Sequence, residues 1–521
     1  MNELDRAFLL LEQKKFLEAQ EAFSLLYEHA PRDPRVNFGV GLIFSHLGQN
    51  QAAIAHLKAA AKKGPKIGIV FTKLAIELLI DVQYEEALRA ARKGASLEPR
   101  SAYAQTILGQ CYNQLNRPVM AKACFENALK LNPDQADSLL QLSRLERTFG
   151  NFVRASELLE EAYKADPNSA GIILNKLEEE SASIEDEVVT KAISILNEKP
   201  EEVAKVTIGN IAFAVAKLHE KAGNLKTAFE YYNEYRDLLY NPFSIHNRKE
   251  QVKAYKQVFT EKFFETRSSV SFSTTKPVFI FGMPRSGTTL AEQIISKHAQ
   301  ASSVGECNYF LLRQKEYFGG YNFSTNLFSV LSKYTEKDFK KVGRRYLKEL
   351  ENADDKAIRI VDKMPHNFEM LWLIALLFPN AKFILMKRNS NDICNSIYTT
   401  SFNSWHSYNI DQKTLGQYYN TYEDLIDHWK SVLPIEIFEL DYENLIADQE
   451  EESRKLLDHI GLDWDPACLE FYNNENRVFT ASQSQVRQPI YSSSVGRWKK
   501  YENYIQPLLQ ELNIKHTLGT T

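Results

Sequence analysis

The sequence has no apolar run approaching the roughly 18 residues that a membrane-spanning helix needs, so no span is expected. Its start, Met1 to Arg6, lacks a basic segment ahead of an apolar core, and no signal peptide is expected there. Cysteine is scarce: five in 521 residues (Cys111, Cys124, Cys307, Cys394 and Cys468), an odd count with no C-x-x-C spacing. That excludes a zinc-finger or disulfide framework and suits a reducing compartment, so a cytoplasmic location is expected. Neither Gly (21) nor Pro (17) is in excess, which excludes a low-complexity chain. Cationic excess is missing too. Lys and Arg number 63 against 67 Asp and Glu, for a net charge of -4, and a nucleic-acid-binding surface needs the opposite balance. A local basic pocket for an anionic ligand stays open. No metal cluster is visible.

What the chain does have is length for two or three domains and a strong internal period. Prolines stand at Pro31, Pro65, Pro99, Pro133 and Pro167, each 34 residues after the last. Alanines keep the same step at Ala19, Ala53, Ala87, Ala121 and Ala155, and a turn position in phase holds Gly48, Val82, Asn116 and Gly150. Within Ala121 to Pro133, small and apolar residues recur at helical spacing, and Pro133 ends the helix before Asp-Gln-Ala reopens one. Small Ala side chains let the two helices of a hairpin approach closely. The pattern resembles the tetratricopeptide repeat, a 34-residue helix-turn-helix, over residues 1–182. Residues 183–265 read as further helix, with Ala222 to Phe229 as one more degenerate unit. The resemblance implies a superhelical array that binds a peptide or protein; the alternative is an array that stabilises the chain or pairs it into a homodimer.

After a Ser/Thr-rich linker at Arg267 to Lys276 the period changes. Short β-rich runs (Val278 to Phe281, Ile358 to Val361, Phe383 to Lys387, Glu436 to Leu440) alternate with helical stretches near 288–298, 367–378, 391–401, 414–432 and 451–460. Such alternation predicts an α/β domain with a central parallel sheet over 277–515, its ligand beyond the carboxyl ends of the strands.

The run Val278 to Leu290 reads as a strand, a tight polar loop and a helix starting near Thr288, which is the outline of a phosphate-binding turn. Gly282 and Gly287 let backbone approach an anion, the helix start offers free N–H groups, and Ser286, Thr288 and Thr289 add hydroxyls. Arg285 adds a forked cation. G-x-x-x-x-G is the Walker A spacing, but Thr288-Thr289 stands where a nucleotidase has Lys-Ser/Thr.

The longer string Pro284-Arg285-Ser286-Gly287-Thr288-Thr289-Leu290 resembles the 5′-phosphosulfate loop of sulfotransferases, that of tyrosylprotein sulfotransferases above all. The resemblance runs through residues 277–500 and implies the donor 3′-phosphoadenylyl sulfate, with adenosine 3′,5′-bisphosphate as product. Glu306 falls where that family places its catalytic base, although Gly305 replaces a neighbouring acid. Lys363, in Lys-Met-Pro, resembles the lysine that contacts the sulfuryl group. His366 is the alternative base. Arg388 and Ser396 resemble the pair that grips the 3′-phosphate, with Asn389 where the family often has Asp. Tyr442 resembles a tyrosine near the adenine. In a gappier alignment, Ser482 matches a serine at the sulfate and Arg497 a lysine near the donor.

These residues predict an α-helical repeat array followed by a P-loop-like α/β sulfotransferase domain. Arg285, Ser286, Gly287, Thr288, Thr289, Arg388, Ser396, Tyr442 and Arg497 would hold the donor, and Glu306, Lys363, Arg285 and Ser482 would carry out transfer to a hydroxyl. The resemblance favours a protein or peptide tyrosine as acceptor, with a carbohydrate or small metabolite as the alternative. Two competing readings are a nucleotide kinase or NTPase, and a repeat scaffold whose second domain is inactive.

Overall fold

The computed structural model describes residues 2–63, 67–201, 203–239, 241–318, 327, 331–402, 404–474 and 485–518. The chain forms two compact units, Met1–Leu218 and His219–Thr521, and the division falls inside the helical stretch 183–265.

The first unit is a succession of antiparallel helical hairpins. The second helices of the first five hairpins, Phe16–His29, Asn50–Lys63, Tyr84–Leu97, Pro118–Leu131 and Phe152–Ala165, start 34 residues apart, as the sequence period predicts. All five alanines of the small-residue column are at most 1% exposed. Close packing is what that column permits, and glycine serves it elsewhere: a Cβ on Gly109 would lie 2.5 Å from the ring of Phe125. Pro99, Pro133 and Pro167 each stand two residues past a helix end; Pro65 lies outside the described residues.

The turn column explains itself through backbone conformation. Gly48, Val82, Asn116 and Gly150 all have positive φ, between 53° and 83°. Each follows a helix end, and the N–H of the next residue reaches back to close the turn, as Gln83 does to the Leu78 carbonyl at 2.9 Å. Glycine and asparagine adopt this conformation cheaply, whereas β-branched Val82 is strained in it. Val82→Gly is expected to stabilise the array by about 1 kcal/mol, read as a raised urea midpoint at unchanged slope.

The second unit is built on a five-stranded sheet in the order β2-β3-β1-β4-β5, with every pairing parallel. The strands are β1 (Pro277–Phe281), β2 (Ala301–Gly305), β3 (Arg359–Lys363), β4 (Lys382–Lys387) and β5 (Ile437–Asp441). Central β1 is buried at all five positions, which is why it reads as an unbroken apolar run. Val278 and Ile280 join a core with the helices Thr288–Ser296 and Gln449–Ile460. Phe279 points the other way and stacks with Phe383 (5.5 Å) and Tyr346 (5.8 Å). Helices therefore cover both faces. Edge strand β2, Ala-Ser-Ser-Val-Gly, is half-buried and carries no apolar run, so nothing in its composition marks it as a strand.

The helix Ile245–Val258 packs within this unit through a buried ion pair, Arg248 to Glu369 at 2.8 Å. Arg248 also bonds Thr421 and lies over the Tyr418 ring. Glu369→Gln would leave a buried guanidinium uncompensated. A loss of about 3–5 kcal/mol is expected in denaturant unfolding of this unit.

Candidate active site

The candidate residues gather because parallel strands end on one edge. Each of the five strands delivers one or more of them just past its carboxyl end: the loop 282–289 after β1, Glu306 after β2, Lys363 at the end of β3, Arg388 after β4 and Tyr442 after β5. Strand β1 has β3 on one side and β4 on the other, so the chain switches direction of winding at the loop. That is where open parallel sheets bind ligands.

The loop is shaped by positive φ at Gly282 (149°), Arg285 (70°) and Gly287 (104°). A Cβ on Gly287 would stand 2.7 Å from the Tyr442 ring, so only glycine fits there. Gly287 caps the helix Thr288–Ser296, and Leu290 N–H donates to its carbonyl at 2.9 Å. Thr288 and Thr289 are buried in the first turn. The Ser286 hydroxyl is buried and has no partner among the described residues.

Arg285 and Arg388 face the same pocket, which also takes in Gly287, Thr289 and Tyr442. Arg285 Nε donates to Ser396 Oγ at 2.9 Å, while Arg388 Nη1 donates to the Arg285 carbonyl at 3.0 Å. Arg388 also lies over the Tyr442 ring at 4.4 Å and donates to the Ser494 carbonyl. Its Nε is buried without a partner among the described residues. Burial first, and the Arg388 charge second, push the Arg285 guanidinium down to about 10. Of the described residues lining the pocket, two are arginines and none is acidic. Two half-buried cations, a buried hydroxyl and a helix start on one pocket are a set of donors suited to an anion.

Beyond β3 lies a second cluster. Lys363 is fully buried, stands opposite Ile280 in the sheet register and donates to Glu306 Oε1 at 2.7 Å. Its other acid is Glu292 Oε2, at 3.5 Å. Next to Lys363, the Asp362 carboxylate accepts from Tyr346 and Asn367, and burial pushes it up to about 7. His366 sits on the short turn Pro365–Glu369, shares a hydrogen bond with the Tyr408 hydroxyl at 3.3 Å, and is held well below its usual range by burial, with His406 adding to the effect. Arg497 donates to Glu220 and to the Tyr501 hydroxyl. Ser482 lies outside the described residues.

Several contacts at the site are absent from the sequence motifs. Ser494 bonds both Arg388 and Tyr442, Asp392 accepts from the N–H groups of Gly496 and Trp498, and Tyr491 lines the pocket. Only Glu292 had a local signal: it lies four residues after Thr288 and shares its helix face.

The sulfotransferase-family profile matches residues 277–466, and tetratricopeptide-repeat profiles match residues 102–135 and the stretches 4–66 and 120–170. The chain is thus a tetratricopeptide-repeat protein with a sulfotransferase-family domain. An uncharacterized protein of Aquifex aeolicus (strain VF5) is 28% identical over 520 residues, covering 96% of this chain and 67% of its own length. Protein-tyrosine sulfotransferase A of Caenorhabditis elegans is 22% identical over 241 residues. That match covers 44% of this chain and 63% of the relative, so the chain spans under two thirds of that sulfotransferase's length. Among solved structures, the TPR protein YrrB aligns with 33% of this chain and 90% of its own, at 19% identity and a TM-score of 0.29.

Among the described residues no group of His, Cys, Asp or Glu could hold a metal ion, and no helix is long and apolar enough to cross a membrane. Gly287→Ala, which drives a methyl group into Tyr442 at a strained φ, is expected to destabilise this unit by about 1–3 kcal/mol in denaturant unfolding.

Proposed function

We propose that the second unit transfers a sulfuryl group from 3′-phosphoadenylyl sulfate to a hydroxyl. The observation that carries this reading is the pocket at the end of β1, where Arg285, Arg388 and the buried Ser286 hydroxyl converge and where no described lining residue is acidic. Bound there, the donor supplies an activated sulfuryl group on a phosphate leaving group. Backbone N–H groups at Thr288 and Thr289, with Arg285 and Ser286, would hold the 5′-phosphosulfate. Arg388 and Ser396 would hold the 3′-phosphate, and Tyr442 would pack near the adenine. Arg497 completes the proposed donor set, and Ser482 would help Lys363 and Arg285 stabilise the transferring group.

Lys363 would stabilise charge building on the bridging oxygen, as cations do in phosphoryl transfer. Glu306 is our choice of base over His366. Its side chain is 38% exposed and lies one ion-pair contact from Lys363, so it can meet both acceptor and reacting group. His366 is tied to Tyr408, and burial holds it well below its usual range, which makes it a weaker proton acceptor. As the acceptor oxygen bonds to sulfur, its proton passes to Glu306. The sulfur–oxygen bond to the 5′-phosphate breaks, and its electron pair stays on the phosphate.

We further propose that residues 1–182 recruit a peptide or protein acceptor, that 183–265 are a further helical region of degenerate repeat character and that 277–515 are the transferase domain. A tyrosine hydroxyl is the favoured acceptor, in line with the name of the C. elegans relative. The five cysteines, all unpaired, support a cytoplasmic location.

The competing kinase or NTPase reading requires ATP–Mg²⁺ in the same loop, where Thr288 stands in place of the Walker lysine. Calorimetric titration with adenosine 3′,5′-bisphosphate and with ATP–Mg²⁺ separates the two. Saturable binding of the bisphosphate, weakened at least ~10-fold by Arg388→Ala, is expected. Tight ATP–Mg²⁺ binding with no response to the bisphosphate would overturn the proposal. Sulfur-35 transfer from labelled donor into a cell lysate, resolved by acceptor mass, identifies the acceptor.

A further inference from the structure

Lys363 is the most completely enclosed cation at the site, with no exposed side-chain surface, and it has two carboxylates rather than one. They differ in setting. Glu306 is 38% exposed, while Glu292 is 6% exposed. Glu292 Oε1 accepts from Ser303 Oγ at 2.6 Å, and the same hydroxyl oxygen accepts the Gly305 N–H at 2.9 Å, one residue before Glu306. One carboxylate is therefore fixed and the other faces outward, with the lysine between them.

We propose that Glu292 is a positioning residue, which holds Lys363 in place while Glu306 takes the acceptor's proton. This rests on Glu306 being the base. When Glu306 accepts that proton it becomes a neutral acid, and Lys363 loses the nearer of its two counter-charges. Loss comes at the moment when charge builds on the oxygen that Lys363 must stabilise. A buried ammonium that loses one of its two carboxylate contacts is held less firmly in one position. Glu292 stays beside it as its fixed carboxylate.

The electrostatics favour that exchange. Burial pushes the Glu292 carboxyl above its usual range, Lys363 and the Ser303 hydroxyl pull it back, and the Glu306 charge adds to the upward push. Protonating Glu306 removes that repulsion, so Glu292 holds its charge more firmly when it is needed. Among the described residues, Lys363 and Asp362 from β3 and Glu306 past β2 bear on it.

Full-length Glu292→Gln, Glu306→Gln and the double variant test this without reference to turnover. Each single variant leaves one carboxylate on Lys363 and is expected to stay folded. The double variant should lose more in thermal midpoint than the two singles added together, and a further Lys363→Met should restore it. Additive losses would overturn the proposal.

Turnover, with the acceptor fraction labelled in the lysate as co-substrate, gives the second reading. Glu292→Gln should lower kcat by ~10-fold or more at unchanged donor KM, and Ser303→Ala should do so more weakly. An unchanged kcat, or kcat and donor affinity falling in parallel, would sink it. Glu306→Gln with undiminished turnover refutes the base assignment instead, whatever Glu292→Gln does.

Discussion

Parallel pairing of β1 with β3 on one side and β4 on the other is the constraint on which the candidate site depends. Parallel strands all end on the same edge, so side chains far apart in the chain arrive together without any element reaching across the sheet. Ile280 opposite both Lys363 and Ile384 fixes the levels. One strand slipped by one residue would turn Lys363 to the other face of the sheet. The unbroken burial of β1 secures the register, because neither face of that strand has water to slip into.

Charge is distributed unevenly along that edge. On the β4 side, Arg285 and Arg388 share a pocket whose described lining holds no acid, and their mutual repulsion is an unfavourable arrangement that an anion relieves. On the β3 side the imbalance is reversed: Lys363 meets two carboxylates. One side suits a multiply charged anionic ligand and the other suits proton movement beside a cation. A single apolar strand separates them. Polar groups with unmet hydrogen-bonding capacity, Ser286 Oγ and Arg388 Nε, occur on the anion side, where an unmade bond costs most in the absence of ligand.

The repeat array obeys a different logic. Each unit needs one small side chain where its helices touch, one residue that tolerates positive φ at the turn and one proline just past the end. Those requirements act over a few residues, so they repeat visibly along the chain. Val82 shows the limit: its column position is filled and the turn closes normally, yet the side chain is the wrong type for the backbone it adopts.

How far the sequence spoke depended on the range of the interaction. Repeat period, turn column, the buried runs of β1, β3 and β4, and the loop 282–289 are local patterns, and they were legible because burial on both faces or a forced φ restricts residue type directly. Arg285, Lys363 and Arg388 were legible as candidates because each directly follows, or ends, such a run. Strand β2 was not, since Ala-Ser-Ser-Val-Gly is extended only through its pairing with β3. Nor were the partners. The serine that joins Arg388 to Tyr442, and the glutamate that joins the loop's helix to Lys363, lie 52 to 106 residues from the groups they hold. Sequence by itself determined which chemical groups this protein has and which segments carry them. Tertiary structure decided which of them touch, because hydrogen bonds and ion pairs between strand ends depend on sheet order and register, and no local pattern encodes either.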